Sequence, residues 1–339
     1  MTNFKILCDI DENIHLISGG ISKQVDVSEL TEDENLKRIF RIQFHIAPLD
    51  KYLSVVVKLI EKNPHIDLRF YGDYSEELIN WSLLSSIESL QIDLWETKEL
   101  KELSRLTKLK KLTISKNVKS SVSLSVLKNL TNLETLYTSI SKDIHIISKL
   151  SKLRFLSLRE IKSNNLDFII PLNHLEVLWL SLGSYNDFTA IFQLENLRKL
   201  SIHQVRGFDN IKASEVLGQC KYLEAMQLQN LKHIHNLDFL KSMNSLKYLQ
   251  LEALKNIETY NPVVKCELLE YFFADDSKPL DKSLNGLSKI KSVGLGDSYP
   301  KNEITNFIKH FTGEEIWIRG KEWKGKMNYV NLFDPTEQN

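Results

Sequence analysis

One spacing of aliphatic residues returns in the same register along most of this chain. The segment Leu109-x-x-Leu112-x-Ile114 has three further copies of the same form, which begin at Leu153, Leu175 and Leu197. The starts of these three copies are 22 residues apart. A repeat with a period between about 20 and 50 residues indicates a solenoid, in which each unit stacks only on its neighbours.

The alternation inside the segment predicts a parallel β-sheet. Successive side chains of a strand point to opposite faces, so Leu112 and Ile114 face inward while Thr113 between them faces outward. A unit of this length cannot bury its apolar face alone, whereas stacked units share one core. Burial of one leucine side chain stabilises the fold by roughly 1.5–3 kcal/mol. Weaker copies extend the array to thirteen candidate coils, with starts at Ile39, His65, Ile87, Leu133, Leu223, Leu246, Leu268, Ile290 and Gly313.

Between the strand segments, apolar residues recur at every third position. One such run consists of Leu228, Leu231, Ile234, Leu237 and Leu240. Residues three apart lie above one another in a 3₁₀-helix, so we expect the return path of most coils to consist of 3₁₀ and extended segments. Longer coils are the exceptions, and their spacing predicts helices over Leu49–Lys62, Ala213–Cys220 and Glu303–Phe311.

The recurring segment resembles the unit of the leucine-rich-repeat family, LxxLxLxxN followed by a variable return, over residues 39–318. The resemblance is to intracellular, bacterial-type members with short repeats and without a catalytic domain. It implies an α/β solenoid, a right-handed superhelix with a parallel concave β-sheet and a convex side that is mostly 3₁₀ and extended. The asparagine of the family is present clearly only at Asn117. Where Ile161, Leu231 or Leu254 occupies that position, we expect core packing to replace the asparagine ladder.

Both ends of such an array need caps, because a terminal coil would expose its core to water. Residues 1–38 are predicted to form an N-terminal cap, with a hairpin of Phe4–Ile10 and Ile14–Ser18 and a helix over Ser28–Arg38. Residues 39–319 are the predicted repeat array. Residues 320–339 are the predicted C-terminal cap and tail, in which the last coil would be covered by Trp323, Met327, Tyr329, Val330 and Phe333.

Charge and cysteine content restrict the environment and the partners of this chain. Its 44 basic and 44 acidic side chains cancel, so no global field attracts nucleic acid or an anionic membrane. The first residues lack the features of a secretory signal, and no apolar stretch approaches the ~18 residues of a membrane-spanning helix. The three cysteines are far apart and odd in number, which favours buried thiols in a reducing compartment. We therefore expect a cytoplasmic protein.

The outward side chains of the strands define the predicted binding surface, the concave face of the sheet. Adjacent strands lie about 4.8 Å apart. Apolar outward residues of neighbouring coils should therefore form one contiguous patch, which consists of Tyr137, Phe155, Val177 and Trp179.

A second aromatic patch is predicted at Tyr248 and Phe272, with Trp317 beyond the glycines Gly294 and Gly296. Aromatic groups on a solvated face with a polar rim are typical of the core of a protein interface. The predicted partner-binding residues are Arg69, Tyr71, Tyr137, Phe155, Trp179, His203, Gln227, Tyr248, Phe272 and Trp317. The alternative interpretation is cross-strand packing, which stabilises a sheet by roughly 0.2–1 kcal/mol per pair.

Three other motifs favour structural over functional roles. His233 and His235 form an HxH pair, but no acidic or cysteine cluster accompanies them, so solvated histidines are favoured over a metal site. The segment Gly294-Leu295-Gly296 lacks the third glycine of a dinucleotide fingerprint. The lysine-rich stretch Lys98–Lys119 has acidic neighbours, which favours a solvated surface over a phosphate site.

No catalytic motif is visible in the sequence. It contains no HExxH, P-loop or G-x-S-x-G, and Cys220 and Cys266 lie beside apolar repeat positions, where a thiol is usually inert. We expect a non-catalytic scaffold that binds another protein and needs no metal, cofactor, small-molecule substrate or membrane. A narrower alternative is an immunity or antitoxin-like inhibitor of a toxin. A nucleic-acid binder and an unrecognised enzyme are minor alternatives.

Overall fold

The computed structural model describes residues 36–37, 39–95, 97–119 and 121–325, together with the backbone of three strands within residues 4–25. The chain forms two compact units, residues 1–154 and residues 155–339. Each unit by itself has α/β solenoid architecture, as the sequence predicts. Parallel strands form one layer, and the return paths between them consist mainly of 3₁₀-helices.

In the first unit, an antiparallel segment precedes a run of parallel strands. The strands are β1 (Phe4–Cys8), β2 (Ile14–Ser18), β3 (Ile21–Val25), β4 (Ile39–Phe44), β5 (Asp67–Gly72), β6 (Ser89–Leu94), β7 (Lys111–Ile114) and β8 (Thr135–Thr138). Strand β2 pairs antiparallel with β1 and with β3, at the place where the sequence predicts a hairpin. Strand β1 also pairs parallel with β4, and the parallel order then runs from β4 through β5, β6 and β7 to β8.

The second unit continues the same pattern of parallel strands. The strands are β9 (Phe155–Arg159), β10 (Lys162–Ser163), β11 (Val177–Ser181), β12 (Ser184–Tyr185), β13 (Lys199–His203), β14 (Ala225–Gln229), β15 (Tyr248–Glu252), β16 (Tyr271–Asp275), β17 (Ser292–Leu295), β18 (Glu315–Ile318) and β19 (Lys321–Lys324). Strand β9 pairs with β11, and the parallel order then runs through β13, β14, β15, β16 and β17 to β18, which pairs antiparallel with β19. Two short strands, β10 and β12, form a separate parallel pair.

The return paths agree with the three-residue spacing of apolar side chains. In the run that follows β14, the inward residues Leu231, Ile234 and Leu237 are buried. The 3₁₀-helices span Glu76–Leu78, Trp81–Leu84, Lys101–Arg105, Leu124–Asn129, Ile144–Lys149, Asp167–Ile169, Thr189–Gln193, Leu217–Gln219, Asp238–Ser242, Asn261–Lys265 and Asn285–Leu287.

Within residues 39–325, as far as the structure describes them, three α-helices lie in the longer coils. They are α1 (Asp50–Lys62), α2 (Asn210–Val216) and α3 (Lys301–His310). Helix α1 forms because its apolar residues recur at helical spacing, which places Leu53, Val56, Val57 and Ile60 on one buried face. Helix α2 begins three residues before the predicted Ala213, because the Asp209 side chain caps it by accepting a hydrogen bond from the Lys212 N–H at 3.0 Å.

In the second unit, buried apolar residues and a ladder of backbone hydrogen bonds replace the asparagine ladder that is typical of the family. Ile161, Leu231 and Leu254 are buried at the asparagine position, as expected. After each of several strands, a residue with positive φ turns its N–H toward the carbonyl that ends the next strand. Glu160 N donates to Ser181 O at 2.8 Å, and Ala253 N donates to Asp275 O at 2.9 Å.

The predicted caps are only partly within the described residues. Most of the Ser28–Arg38 helix and residues Met327, Tyr329, Val330 and Phe333 lie outside them. Trp323 is exposed and does not cover the last coil, because it lies in β19, which extends the sheet edge beside β18. The domain bounds at residues 38 and 319 stay predictions. Among the described residues, no helix is both long and apolar enough to cross a membrane.

Candidate functional site

The outward side chains of the strands form one sheet face in each unit, which we call the open face. In the second unit, the strand register aligns the middle outward residues in one row. This row consists of Ser157, Trp179, Ser201, Gln227, Gln250, Phe273, Gly294 and Trp317. Parallel neighbours in a row lie about 4.8 Å apart, so their side chains contact one another.

Two stacked aromatic pairs lie on the open face of strands β15 to β18. The rings of Tyr248 and Tyr271 are almost parallel, with centroids 4.7 Å apart and an interplanar angle of 11°. The rings of Phe273 and Trp317 are 6.3 Å apart at an angle of 27°. All four side chains are half-buried, so each pair leaves aromatic surface in contact with solvent. We call these four residues the aromatic surface.

A third aromatic contact joins strands β9 and β11. Phe155 packs edge-to-face against Trp179, with ring centroids 5.1 Å apart and an angle of 71°. Phe155 is buried, whereas Trp179 and the adjacent Val177 are half-buried. The outer members of this cluster are therefore Trp179 and Val177.

Polar residues separate the two aromatic areas of the second unit. Ser201 Oγ donates to Gln227 Oε1 at 2.9 Å, and Gln227 Nε2 donates to Glu252 Oε1 at 3.4 Å. The pKa of His203 lies below its ordinary value, because burial and the positive charge of Arg159 lower it more than Glu252 raises it. The hydrogen bonds hold the side chains of Ser201, Gln227 and Glu252 in place between the two aromatic areas.

The open face of the first unit is polar and carries an ion network centred on Asp67. This carboxylate accepts hydrogen bonds from Ser89 Oγ at 2.5 Å, from Arg41 Nη2 at 3.2 Å and from Lys111 Nζ at 3.1 Å. The partners lie on strands β4, β6 and β7, so one carboxylate joins four neighbouring strands.

A second carboxylate, Asp93, is held in the same way on the neighbouring strand β6, two outward positions further along the face. It accepts hydrogen bonds from Arg69 Nη2 and from Asn117 Nδ2, the latter at 2.7 Å. Burial raises the pKa of Asp93, but the hydrogen bonds from Ser115, Arg69 and Asn117 and the charge of Arg69 more than offset this. Its pKa therefore lies below the ordinary value, and the group is ionised at neutral pH.

Aromatic side chains flank this ion network at one edge. The guanidinium of Arg69 lies 4.6 Å from the ring centroid of Tyr71. Tyr71 in turn packs edge-to-face on Trp95, with ring centroids 5.8 Å apart. Trp95 is exposed at 42% of its surface. The cation, the phenol and the indole thus form a continuous row.

Comparison with solved structures finds the same architecture in leucine-rich-repeat proteins. An internalin from Listeria monocytogenes strain 4b F2365 aligns over 88% of this chain and 85% of its own, with 18% identity and a TM-score of 0.56. This chain has the leucine-rich-repeat fold. Internalin C2 from the same strain aligns over 66% of this chain and 92% of its own, with 19% identity and a TM-score of 0.44.

A structure of TLR13 in complex with ssRNA13 aligns over 81% of this chain but only 42% of its own, with 19% identity and a TM-score of 0.49. No protein-family model and no curated protein sequence matches the chain. At these identities, the comparisons concern the leucine-rich-repeat fold alone.

One predicted partner-binding residue of the leucine-rich-repeat array lies on the wrong face. Phe272 is fully buried and packs edge-to-face on Tyr260, with ring centroids 5.0 Å apart. The repeat begins at the buried Leu269, whereas the predicted start, Leu268, is 53% exposed. Because a shift of one residue exchanges the two faces of a strand, Tyr271 and Phe273 occupy the open face.

Phe155 is a second correction, because the prediction placed it on the binding surface and the structure buries it. It occupies an outward position in the register, opposite Val177, and its contact with Trp179 helps to cover it. Tyr137 is half-buried and belongs to the first unit, whereas Val177 and Trp179 belong to the second. The patch that joins all four therefore stays a prediction.

The remaining predicted partner-binding residues lie on outward strand positions, as their register requires. Arg69 and Tyr71 are on β5, His203 is on β13, Gln227 is on β14, and Tyr248 and Trp317 are on β15 and β18. All of these side chains are half-buried. Their role in binding stays a prediction.

Besides Tyr271 and Phe273, three contributors to these faces were not predicted as site residues. Trp95 occupies the asparagine position of its coil, and its exposure shows that it does not pack in the core there. Asp67 and Asp93 were not predicted as site residues. Their outward positions in the repeat register, opposite Arg41 and Tyr71, were the available signal.

The histidine pair, the cysteines and the glycine segment of the sequence all lie within the described residues. His233 and His235 are exposed, and no group of three or more potential metal ligands occurs in the described ranges. Cys220 and Cys266 are free and buried, and burial raises the pKa of their thiols to about 12 and about 11. Gly294 lies within β17.

Proposed function

We propose that this leucine-rich-repeat protein is a non-catalytic scaffold that binds a partner protein on the open face of its second unit. The observation that carries the proposal is the aromatic surface, formed by Tyr248, Tyr271, Phe273 and Trp317. Four half-buried aromatic side chains on three strands, β15, β16 and β18, form a concentrated apolar area on this face.

The chemistry of the aromatic surface is that of an interface centre. Aromatic residues are enriched in the central parts of protein interfaces, where rings supply large contact area at low cost in conformational entropy. Its neighbours Gln227, Gln250 and Glu252 supply hydrogen-bonding groups, as an interface rim requires. Trp179 and Val177 add a second apolar area on β11.

Cross-strand packing explains the stacking but not the remaining exposure of the rings. A pair that served the sheet alone would contribute roughly 0.2–1 kcal/mol and could be as well placed in the core. Binding uses the exposed ring surface, which becomes buried only when a partner covers it. Melting temperature and partner binding therefore separate the two roles.

The proposal includes a cytoplasmic location and a function without catalysis. The two free, buried cysteines with raised thiol pKa values support a reducing compartment and argue against nucleophilic roles. The sequence shows no catalytic motif, which supports binding rather than chemistry.

Site-specific photo-crosslinking in the native cell tests the proposal. A photoreactive phenylalanine analogue replaces Gln250, which lies on β15 with Tyr248 and opposite Phe273 and so adjoins both aromatic pairs. The same analogue at exposed Val264, on a 3₁₀-helix of the return path, is the matched control. We expect a defined protein adduct from position 250 and none from position 264. The adduct should decrease in Trp317→Ala and Trp179→Ala variants whose melting temperatures match the parent.

Three outcomes would contradict this function. They are equal adducts from both positions, an unchanged adduct in both tryptophan variants, or adducts that consist of RNA. In a titration of the purified protein, binding of RNA that weakens steeply with salt would identify phosphate contacts instead.

A further inference from the structure

We propose that the open face of the first unit is a second binding surface, which accepts an acidic segment of a partner protein through Arg41, Arg69 and Lys111. This goes beyond the aromatic surface, because it concerns other residues in the other unit and predicts the chemistry of the bound segment. Tests of the two surfaces use different variants, so either proposal can fail alone.

Charge placement on this face favours an acidic ligand. The outward positions of β4 to β7 carry three cations, Arg41, Arg69 and Lys111, and two carboxylates, Asp67 and Asp93. The side chains of Arg41 and Lys111 are 19% and 29% exposed, against 11% for Asp67. Arg69 is 15% exposed, against 7% for Asp93. The negative charges are thus the more deeply buried ones, and solvent meets an excess of positive charge.

The hydrogen bonds on this face also favour an acidic ligand. Each carboxylate already accepts from at least two side chains, so its capacity is largely used. In contrast, Arg41 Nε and Arg69 Nε are buried and have no acceptor among the described residues. A guanidinium has five N–H donors and no acceptor. A ligand carboxylate would accept from the solvent-facing N–H groups of Arg41 and Lys111, whose side chains are partly exposed.

Tyr71 and Trp95 define where the ligand would extend. They continue the row from the Arg69 guanidinium to the indole of Trp95, which is 42% exposed. An acidic side chain at the arginines would therefore have its neighbouring residues against aromatic rings. Such a combination of charged and aromatic contacts suits a peptide segment, whose carboxylates alternate with apolar groups.

A carboxylate fits better than a nucleic acid because the excess charge is small and recessed. Nucleic-acid affinity comes from several exposed Lys or Arg side chains that each neutralise a phosphate. Here the five charged groups leave one net positive charge, and the arginines are largely buried. The adjacent Lys110 adds no net charge to the patch, because Glu88 lies 2.8 Å away and balances it one to one.

Fluorescence anisotropy with a labelled hexaglutamate peptide and the full-length protein tests the proposal. We expect hexaglutamate to bind and hexaglutamine to bind at least about ten-fold more weakly, since the loss of a charge-assisted contact changes affinity by that order. Lys111→Gln removes the excess charge and should weaken hexaglutamate binding about ten-fold. Lys110→Gln removes the same charge from the neighbouring pair with Glu88 and should leave the affinity within about two-fold.

Trp95→Ala should weaken binding of an alternating Glu-Leu peptide more than binding of hexaglutamate, because only the former uses the aromatic end. Arg41→Gln should also weaken hexaglutamate binding, and we use it as a second test only if its melting temperature matches that of the parent. If it does not, Lys111→Gln alone tests the proposal. Three outcomes would overturn the proposal. The protein could bind hexaglutamine as tightly as hexaglutamate, or Lys110→Gln could weaken hexaglutamate binding as much as Lys111→Gln. The third is that a short RNA displaces labelled hexaglutamate at a lower concentration than unlabelled hexaglutamate does.

Discussion

Phe273 and Trp317 are stacked although a whole strand lies between them. Their ring centroids are 6.3 Å apart, whereas strands two places apart in a sheet are separated by about 9.6 Å. The residue between them in the register is Gly294, which has no side chain. The rings therefore lean toward each other over the glycine. In the sequence, Gly294 looks like an interruption of the aromatic row. In the fold, its missing side chain leaves the space in which the rings of Phe273 and Trp317 stack.

This contact predicts energetic coupling between the two residues. We expect Phe273→Ala and Trp317→Ala to be non-additive by about 0.5–1.5 kcal/mol in the free energy of unfolding, the usual contribution of an aromatic pair. Urea denaturation of the single and double variants measures the coupling. Tyr248 and Trp317 are three strands apart, about 14 Å, so their double variant is the additive control. Equal coupling in both pairs would refute the contact.

The register of strand β16 gives a second prediction. Phe272→Ala should lower the free energy of unfolding by about 3–5 kcal/mol, because it removes a fully buried ring that packs on Tyr260. Phe273→Ala, on the other face of the same strand, should cost much less. A larger loss for Phe273→Ala than for Phe272→Ala would contradict the observed register.

A leucine pair supplies the matched control for this register. Leu269→Ala should be destabilising by about 2–5 kcal/mol, whereas exposed Leu268→Ala should stay within about 0.5 kcal/mol of the parent. The two substitutions remove the same atoms at adjacent positions, so only burial differs. Similar losses at both sites would show that the repeat begins elsewhere.

Most of the fold could be predicted from the repeat, because the alternation of apolar and polar residues and the repeat period follow from local backbone geometry. The strands that follow Leu109, Leu153, Leu175 and Leu197 and the 3₁₀ return paths are where the pattern predicts them. The error at β16 arose where the pattern is ambiguous. Leu268 and Leu269 are adjacent, and Tyr271, Phe272 and Phe273 are all aromatic, so either register places large rings on both faces.

The site was less predictable, because side-chain pairing across strands depends on tertiary geometry. Outward position predicted that Tyr248 and Trp317 are accessible, but not which rings stack on each other. The outward position of Phe155 also predicted a surface side chain. Phe155 is buried instead, because the neighbouring ring of Trp179 helps to cover it. The ion network around Asp67 needs residues from four strands, which no single repeat reveals.

Acidification should destabilise the protein through His203. Burial and Arg159 lower the pKa of His203 in the folded state below the unfolded value of about 6.5. The unfolded chain therefore binds the proton more readily. Stability is lost as the pH falls below about 6.5, until the pH passes the folded-state pKa.

Denaturation in urea at about pH 7.5 and about pH 5.5 measures this loss through His203. We expect the difference in the free energy of unfolding between the two pH values to be smaller in His203→Gln than in the parent. His235→Gln, which changes an exposed histidine, should keep the parental difference. An identical pH dependence in the parent and in His203→Gln would exclude His203 as a cause.

Positive-φ backbone after the strands predicts a stabilising substitution. Ala253 has φ of 51°, a conformation that costs an L-residue roughly 1–2 kcal/mol and glycine much less. Ala253→Gly should relieve this strain while it raises the entropy of the unfolded chain, which costs about 0.4–1 kcal/mol. We therefore expect a net gain of up to about 1 kcal/mol in urea denaturation. Ala274→Gly, at a buried strand position in β16, should instead be destabilising. Equal losses at both positions would mean that the turn after β15 is not strained.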